Sequence, residues 1–187
     1  MDVQTLNWPE YNAIKEFYGD RKAERSGVPL IQHIHEGLAV MECKQASVAA
    51  RKAYCLHPLF QNDAELTTVG LNYCLRQFEG SITPTVILMV MEYRARANAW
   101  LSDKVGLYDG EIILQGKPDY GPLEAVRLML IADKVQNCKD FMRYHYGTHA
   151  RSVELKHYFE AWFVALRVEF QVADLISHIE REYPNVR

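Results

Sequence analysis

The 187-residue sequence is poor in most features that mark special classes of protein. No Cys-x-x-Cys pair occurs among Cys43, Cys55, Cys74 and Cys138, which excludes a zinc ribbon and argues against a disulfide scaffold. The longest apolar runs, at 86–91 and 161–166, fall far short of the roughly 20 residues a bilayer span needs. Met1-Asp2-Val3-Gln4 has neither the basic start nor the apolar run of a signal peptide. Basic residues are not in surplus: 21 Lys and Arg face 24 Asp and Glu, a net charge of −3, which disfavours nucleic acid as a partner. There is no internal repeat, low-complexity tract or linker. What is present is a 49% hydrophobic complement, enough for a sizeable core in one domain spanning 1–187 and too much for a disordered chain. A reduced, cytoplasmic setting without membrane attachment is the expectation. Seven histidines remain to be explained.

Helical periodicity dominates, so the expected fold class is all-α, a single helical bundle. Helices are expected over 9–18, 30–41, 46–56 (interrupted at Pro58), 65–76, 84–101, 122–146 and 152–182. The stretch 103–121, with four glycines and Pro118, reads as a long loop in which 111–114 forms a short strand or hairpin arm. In the helix after Pro122, Val126, Met129, Leu130, Asp133, Asn137 and Phe141 follow the spacing of one face. His33 shares a face with Leu30, Gly37 and Val40, and His57 follows Ala50 and Ala53 at the same spacing. A buried aspartate is costly unless paired or coordinating. Taken singly, an inward histidine is as readily a hydrogen-bonded core residue, and a mid-helix aspartate a salt-bridge partner.

Three segments together say more. Arg25-Ser26-Gly27-Val28-Pro29-Leu30-Ile31-Gln32-His33 resembles the (R/K)SGxPYIxH segment of RelA/SpoT-type (p)ppGpp hydrolases, a branch of the HD phosphohydrolases. The run 49–57, ending Cys55-Leu56-His57, is similar to the AAxLHD segment that follows it, and Ile131-Ala132-Asp133-Lys134-Val135-Gln136-Asn137 to the family's LADRLHN. The likeness covers about a third of the chain and points to the stand-alone small alarmone hydrolases; the pattern also resembles phage-associated HD-like proteins. It implies an HD-type helical bundle in which His33, His57 and Asp133 bind a divalent metal ion, Mn²⁺ being usual, with Zn²⁺ or Fe as other candidates. It further implies that Asn137 and Arg25 contact a nucleotide or other phosphorylated small molecule.

The departures bear on catalysis. Pro58 stands where the family has the aspartate of its HD pair, Glu24 where it has an arginine, and Gln61 and Asn62 where it has an acid/base Glu-Asp pair. Amides cannot exchange protons as carboxylates do. Gln61, Asn62 and the next residue, Asp63, are therefore the candidate catalytic positions, and His35 or Asp63 a candidate extra ligand. Arg21, Lys22, Arg25, Arg51, Lys52, Lys134 and Lys139 flank the three segments. They either ring one phosphate-sized cleft, with Arg21 and Lys134 binding substrate, or form a solvated surface paired with Glu24, Glu42 and Asp140. The group of His145, His149 and His157 reads as a helix end rather than a second ligand cluster. Trp100, Trp162, Phe159 and Phe163 read as core, and Cys55 as a poor nucleophile. Three functions follow: a metal-dependent nucleotide phosphohydrolase, a degenerate domain that binds a nucleotide or protein without hydrolysis, and an interaction protein with a vestigial site.

Overall fold

The computed structural model describes residues 3–24, 26–77, 83–99, 105–108, 111–114, 116, 118, 120 and 123–184. Its helices are α1 (Val3–Leu6), α2 (Pro9–Tyr18), α3 (Ile31–Cys43), α4 (Val48–Gln61), the single turn α5 (Asp63–Glu65), a π-helical turn (Leu66–Gly70) and α6 (Leu71–Gln77). There follow α7 (Pro84–Ala99), a hairpin of β1 (Val105–Tyr108) and β2 (Glu111–Leu114), then α8 (Glu124–Tyr144), α9 (Ser152–Leu166) and α10 (Val172–Glu182). The fold is the expected all-α bundle. The hairpin pairs antiparallel from Val105 against Leu114 to Tyr108 against Glu111, so the expected arm at 111–114 is present. No helix among the described residues is long and apolar enough to cross a membrane.

Local chemistry sets the helix ends. Pro9 opens α2, where a missing N–H costs nothing, and Gly19, at φ 51°, closes it. Ser47 caps α4, its hydroxyl accepting from the Ala50 N–H at 3.2 Å. Three expectations need correction. The helix expected over 46–56 does not stop at Pro58 but continues through it to Gln61. The helix expected over 65–76 contains the π turn. The helix expected over 152–182 is two helices, because Arg167 takes a left-handed conformation (φ 55°) that ends α9.

Helix α8 lies at the centre, in contact with α3, α4, α7, α9 and α10. Met129, Leu130, Ile131, Ala132 and Val135 are all buried, so its middle is enclosed on every side. Helix α4 packs on α7 and α2 as well as on α3 and α8. Gly37 of α3 is required by that packing: a Cβ there would lie 2.0 Å from the Tyr54 hydroxyl of α4. Three helices thus meet closely enough for their inward polar side chains to share one space.

Candidate metal centre

His33 from α3, His57 from α4 and Asp133 from α8 converge. His33 Nε2 lies 3.1 Å from His57 Nε2 and 3.6 Å from Asp133 Oδ1, and His57 Nε2 lies 3.9 Å from that oxygen. Ligands held at about 2.0–2.2 Å by one cation stand roughly 3.0–3.6 Å apart; two of the separations fall in that range, and the third, 3.9 Å, needs to close by a few tenths of an ångström for a divalent ion to take all three. It is the only such group of His, Cys, Asp or Glu among the described residues.

Proton positions sharpen the case. The Gln136 amide donates through Nε2 to Asp140 Oδ2 (2.7 Å) and Glu36 Oε2 (3.1 Å), which leaves its Oε1 as acceptor toward His33. His33 Nδ1 stands 2.6 Å from that oxygen and must be the donor. His57 Nδ1 stands 2.6 Å from the Tyr54 carbonyl and must donate too. With both Nδ1 atoms so engaged, each ring turns Nε2 toward the centre, where the two atoms stand 3.1 Å apart beside Asp133. A cation held there would take one nitrogen lone pair from each ring and be balanced by the Asp133 carboxylate. The donor set fits a metal.

Burial is the largest influence on His57, reinforced by His33, and pushes its pKa down to about 3, so the ring is a neutral, ligand-ready imidazole at ordinary pH. Burial opposes the charge of Asp133, but the Lys134 ammonium chiefly outweighs it and holds the carboxyl well below the usual carboxylate range. Lys134 Nζ lies 2.9 Å from Asp133 Oδ2, over the rings of Tyr158 and Trp162. Asn137 Nδ2 donates to Asp133 Oδ1 at 2.8 Å. The Tyr93 hydroxyl is buried beside Asp133 without a hydrogen bond of good geometry.

The three residues sit on the floor of a cavity of ≈ 550 Å³ whose walls include Tyr18, Pro58, Gln61, Asn137, Phe141 and Phe159. The size suits a small organic ligand. Of the expected catalytic positions, Gln61 lines it. Asn62 and Asp63 are exposed at the end of α4, Asp63 held by Arg94. Asn137 and Lys134 both line the cavity, and each also contacts Asp133, so each orients or balances that carboxylate. Arg21 turns back onto the C-terminus of α2, donating to the Phe17 and Tyr18 carbonyls. Arg25 lies outside the described residues, as does Trp100.

The expected ring of cations does not form among the described residues. Arg51 lies over Trp8, Lys52 pairs with Glu10 at 3.4 Å, and Lys139 is buried against Glu36 and Asp140. His35 is not an extra ligand: it hydrogen-bonds Tyr11 at 2.9 Å and stacks between Tyr11 and Tyr183. His149 accepts from the Arg151 N–H and His157 faces Glu160, in keeping with a helix end. Phe159, expected in the core, is buried but also forms cavity wall. The sequence reading missed Glu36, Gln136 and Asp140 as partners around the ligands. The signal lay in spacing: Glu36 follows His33, and Gln136 follows Asp133, by three residues, one helical turn.

No family model, curated protein or solved structure matches the chain.

Proposed function

We propose that the protein is an HD-type, metal-dependent phosphohydrolase acting on a nucleotide, (p)ppGpp or a related purine phosphate, in the cytoplasm. The observation that carries this reading is the convergence of two imidazoles, each with Nδ1 against an oxygen acceptor, and one carboxylate at the wall of a ligand-sized cavity. His33, His57 and Asp133 hold the cation, with Mn²⁺, Zn²⁺ and Fe all compatible with two nitrogens and one oxygen. A divalent ion so held supplies Lewis acidity toward a phosphoryl oxygen and makes water more acidic. Asn137 and Lys134 keep the Asp133 carboxylate in place, and Tyr158, Phe159 and Phe141 narrow the cavity around the phosphate ester. In the reaction water adds to phosphorus, the bond to the bridging oxygen breaks, and the leaving oxygen takes up a proton. Four free cysteines accord with a reducing compartment.

One observation favours a second reading, binding without turnover. Among the described residues the carboxylates lining the cavity are Asp133 and Asp140, and Asp140 is already held by Lys139 and Gln136. Pro58 and Gln61 occupy the wall and neither exchanges a proton. The test is metal analysis of freshly purified protein, then turnover on a nucleotide panel that includes (p)ppGpp. Hydrolysis is expected to require metal and to vanish in His57→Ala. Metal binding with a nucleotide-dependent rise in melting temperature and no product supports the second reading. Protein that binds no Mn²⁺, Zn²⁺ or Fe²⁺ and turns over nothing sinks both.

A further inference from the structure

The two ligand histidines are held the same way round by devices that lie outside the ligand set. Both show Nε2 to the centre and spend Nδ1–H on an oxygen behind them. For His33 that oxygen is the Gln136 amide. A free amide turns either end toward a neighbour, but this one cannot, because its NH₂ group sits between the Glu36 and Asp140 carboxylates. Lys139, buried between the same carboxylates, offsets part of their charge. For His57 the oxygen is the Tyr54 carbonyl. In a regular helix that carbonyl accepts from the N–H four residues on, which here is Pro58. Proline has no N–H, and its ring crowds the carbonyl four residues back. The Tyr54 oxygen is therefore left for a side chain, and the His57 imidazole takes it at 2.6 Å.

We propose that Gln136 and Pro58 are the positioning residues of the metal centre, Gln136 locking His33 and Pro58 locking His57 as Nδ1–H tautomers aimed at one point. This inference rests on reading the group as a metal site. It gives Pro58, a residue with no side-chain ligand atom, a task of its own as the orienter of a ligand. Groups of this kind behind a metal-bound histidine are typically worth about 10–100-fold in metal affinity.

The test has two readouts, neither of them activity. Long-range ¹H–¹⁵N spectra of the metal-free protein assign the tautomer of each histidine, and titration followed by the EPR signal of free Mn²⁺ gives affinity. In the unsubstituted protein both rings are expected as Nδ1–H. Gln136→Leu is expected to mix the His33 tautomers and weaken Mn²⁺ binding about 10–100-fold. If Gln136 served packing alone, the leucine variant, of similar bulk, would keep the Nδ1–H tautomer of His33 and bind Mn²⁺ as tightly as the unsubstituted protein. Pro58→Ala restores the N–H to the Tyr54 oxygen and is expected to raise the melting temperature while weakening Mn²⁺ binding, opposite signs that a purely structural proline does not produce. An Nε2–H ring in the unsubstituted protein, or full affinity in both Gln136→Leu and Pro58→Ala, overturns the proposal. If no metal binds at all, the metal-site reading fails, while the tautomers of the metal-free protein still decide whether Gln136 and Pro58 lock the rings.

Discussion

At the scale of single residues, the energetics of the centre turn on Asp133 and Lys134, adjacent in sequence and both buried. Each compensates the other, so removing one charge strands its partner in a low-dielectric space. Asp133→Asn is expected to cost about 3–5 kcal/mol in urea unfolding of the metal-free protein, and Lys134→Met added to it to recover part of that loss. A cost below about 1 kcal/mol for Asp133→Asn would mean the pair is not compensated as described. Proton uptake supplies a second expectation. Burial depresses the pKa values of His57 and His35 below the ordinary histidine value of 6.5. Below that pH the unfolded chain binds protons that the folded chain refuses, so stability falls as pH drops from 6.5 toward the folded pKa, about 3 for His57. Each group contributes at most about 1.4 kcal/mol per pH unit across its window. Asp133, also held low, acts in the same direction but only in more acid solution: its support is present above the ordinary carboxyl value and lost as pH falls below it, so it adds nothing to the change above about pH 4. Thermal melts of metal-free protein at about pH 7.5 and 5.5 should show the lower melting temperature at the lower pH; equal values would contradict the buried, neutral state of these rings.

At the scale of elements, α3, α4 and α8 each deliver one candidate ligand, and the close approach of α3 to α4 depends on Gly37. Gly37→Ala puts a methyl group into the Tyr54 hydroxyl, and Tyr54 both supplies the carbonyl behind His57 and stacks near its ring, centroids 4.6 Å apart. This variant is expected to lose about 1–3 kcal/mol and to bind Mn²⁺ more weakly. Unchanged metal affinity would show that the α3–α4 spacing does not govern the site. Much of this was legible in the sequence. The face shared by Val126, Met129, Leu130 and Asp133 is real, and α2, α3 and α8 lie within a few residues of where periodicity puts them. What was not legible has physical reasons. The break after Leu166 falls in Arg167-Val168-Glu169-Phe170-Gln171, which contains neither glycine nor proline, so nothing local announces the left-handed Arg167. Pro58 reads as a helix end because its cost is local, while the packing of α4 on α7 and α8 that carries the helix past it is tertiary. The basic residues read as a cleft because spacing fixes a helix face but not the partner. Trp8, Glu10 and Glu36, met only in the folded chain, drew Arg51, Lys52 and Lys139 elsewhere.

At the scale of the whole molecule, the centre couples the first half of the chain to the second, because α8 brings Asp133 to histidines carried on α3 and α4. In the metal-free protein this junction brings two imidazole Nε2 atoms to 3.1 Å from one another beside a buried carboxylate. A cation that binds only when the three helices are assembled therefore stabilises the whole fold by mass action, and not the site alone. At a free Mn²⁺ concentration of about 100 times the dissociation constant the expected gain is about 2.7 kcal/mol, rising by about 1.4 kcal/mol for each further tenfold. Urea unfolding at increasing Mn²⁺ should show the midpoint moving in step with the logarithm of concentration, with one slope for fluorescence and for circular dichroism. The His57→Ala variant should show no such movement, since it lacks one of three ligands. A metal-dependent shift that persists in His57→Ala would place the ion somewhere other than between α3, α4 and α8. A shift in one probe but not the other would mean the three helices do not unfold as a single unit with the rest of the core.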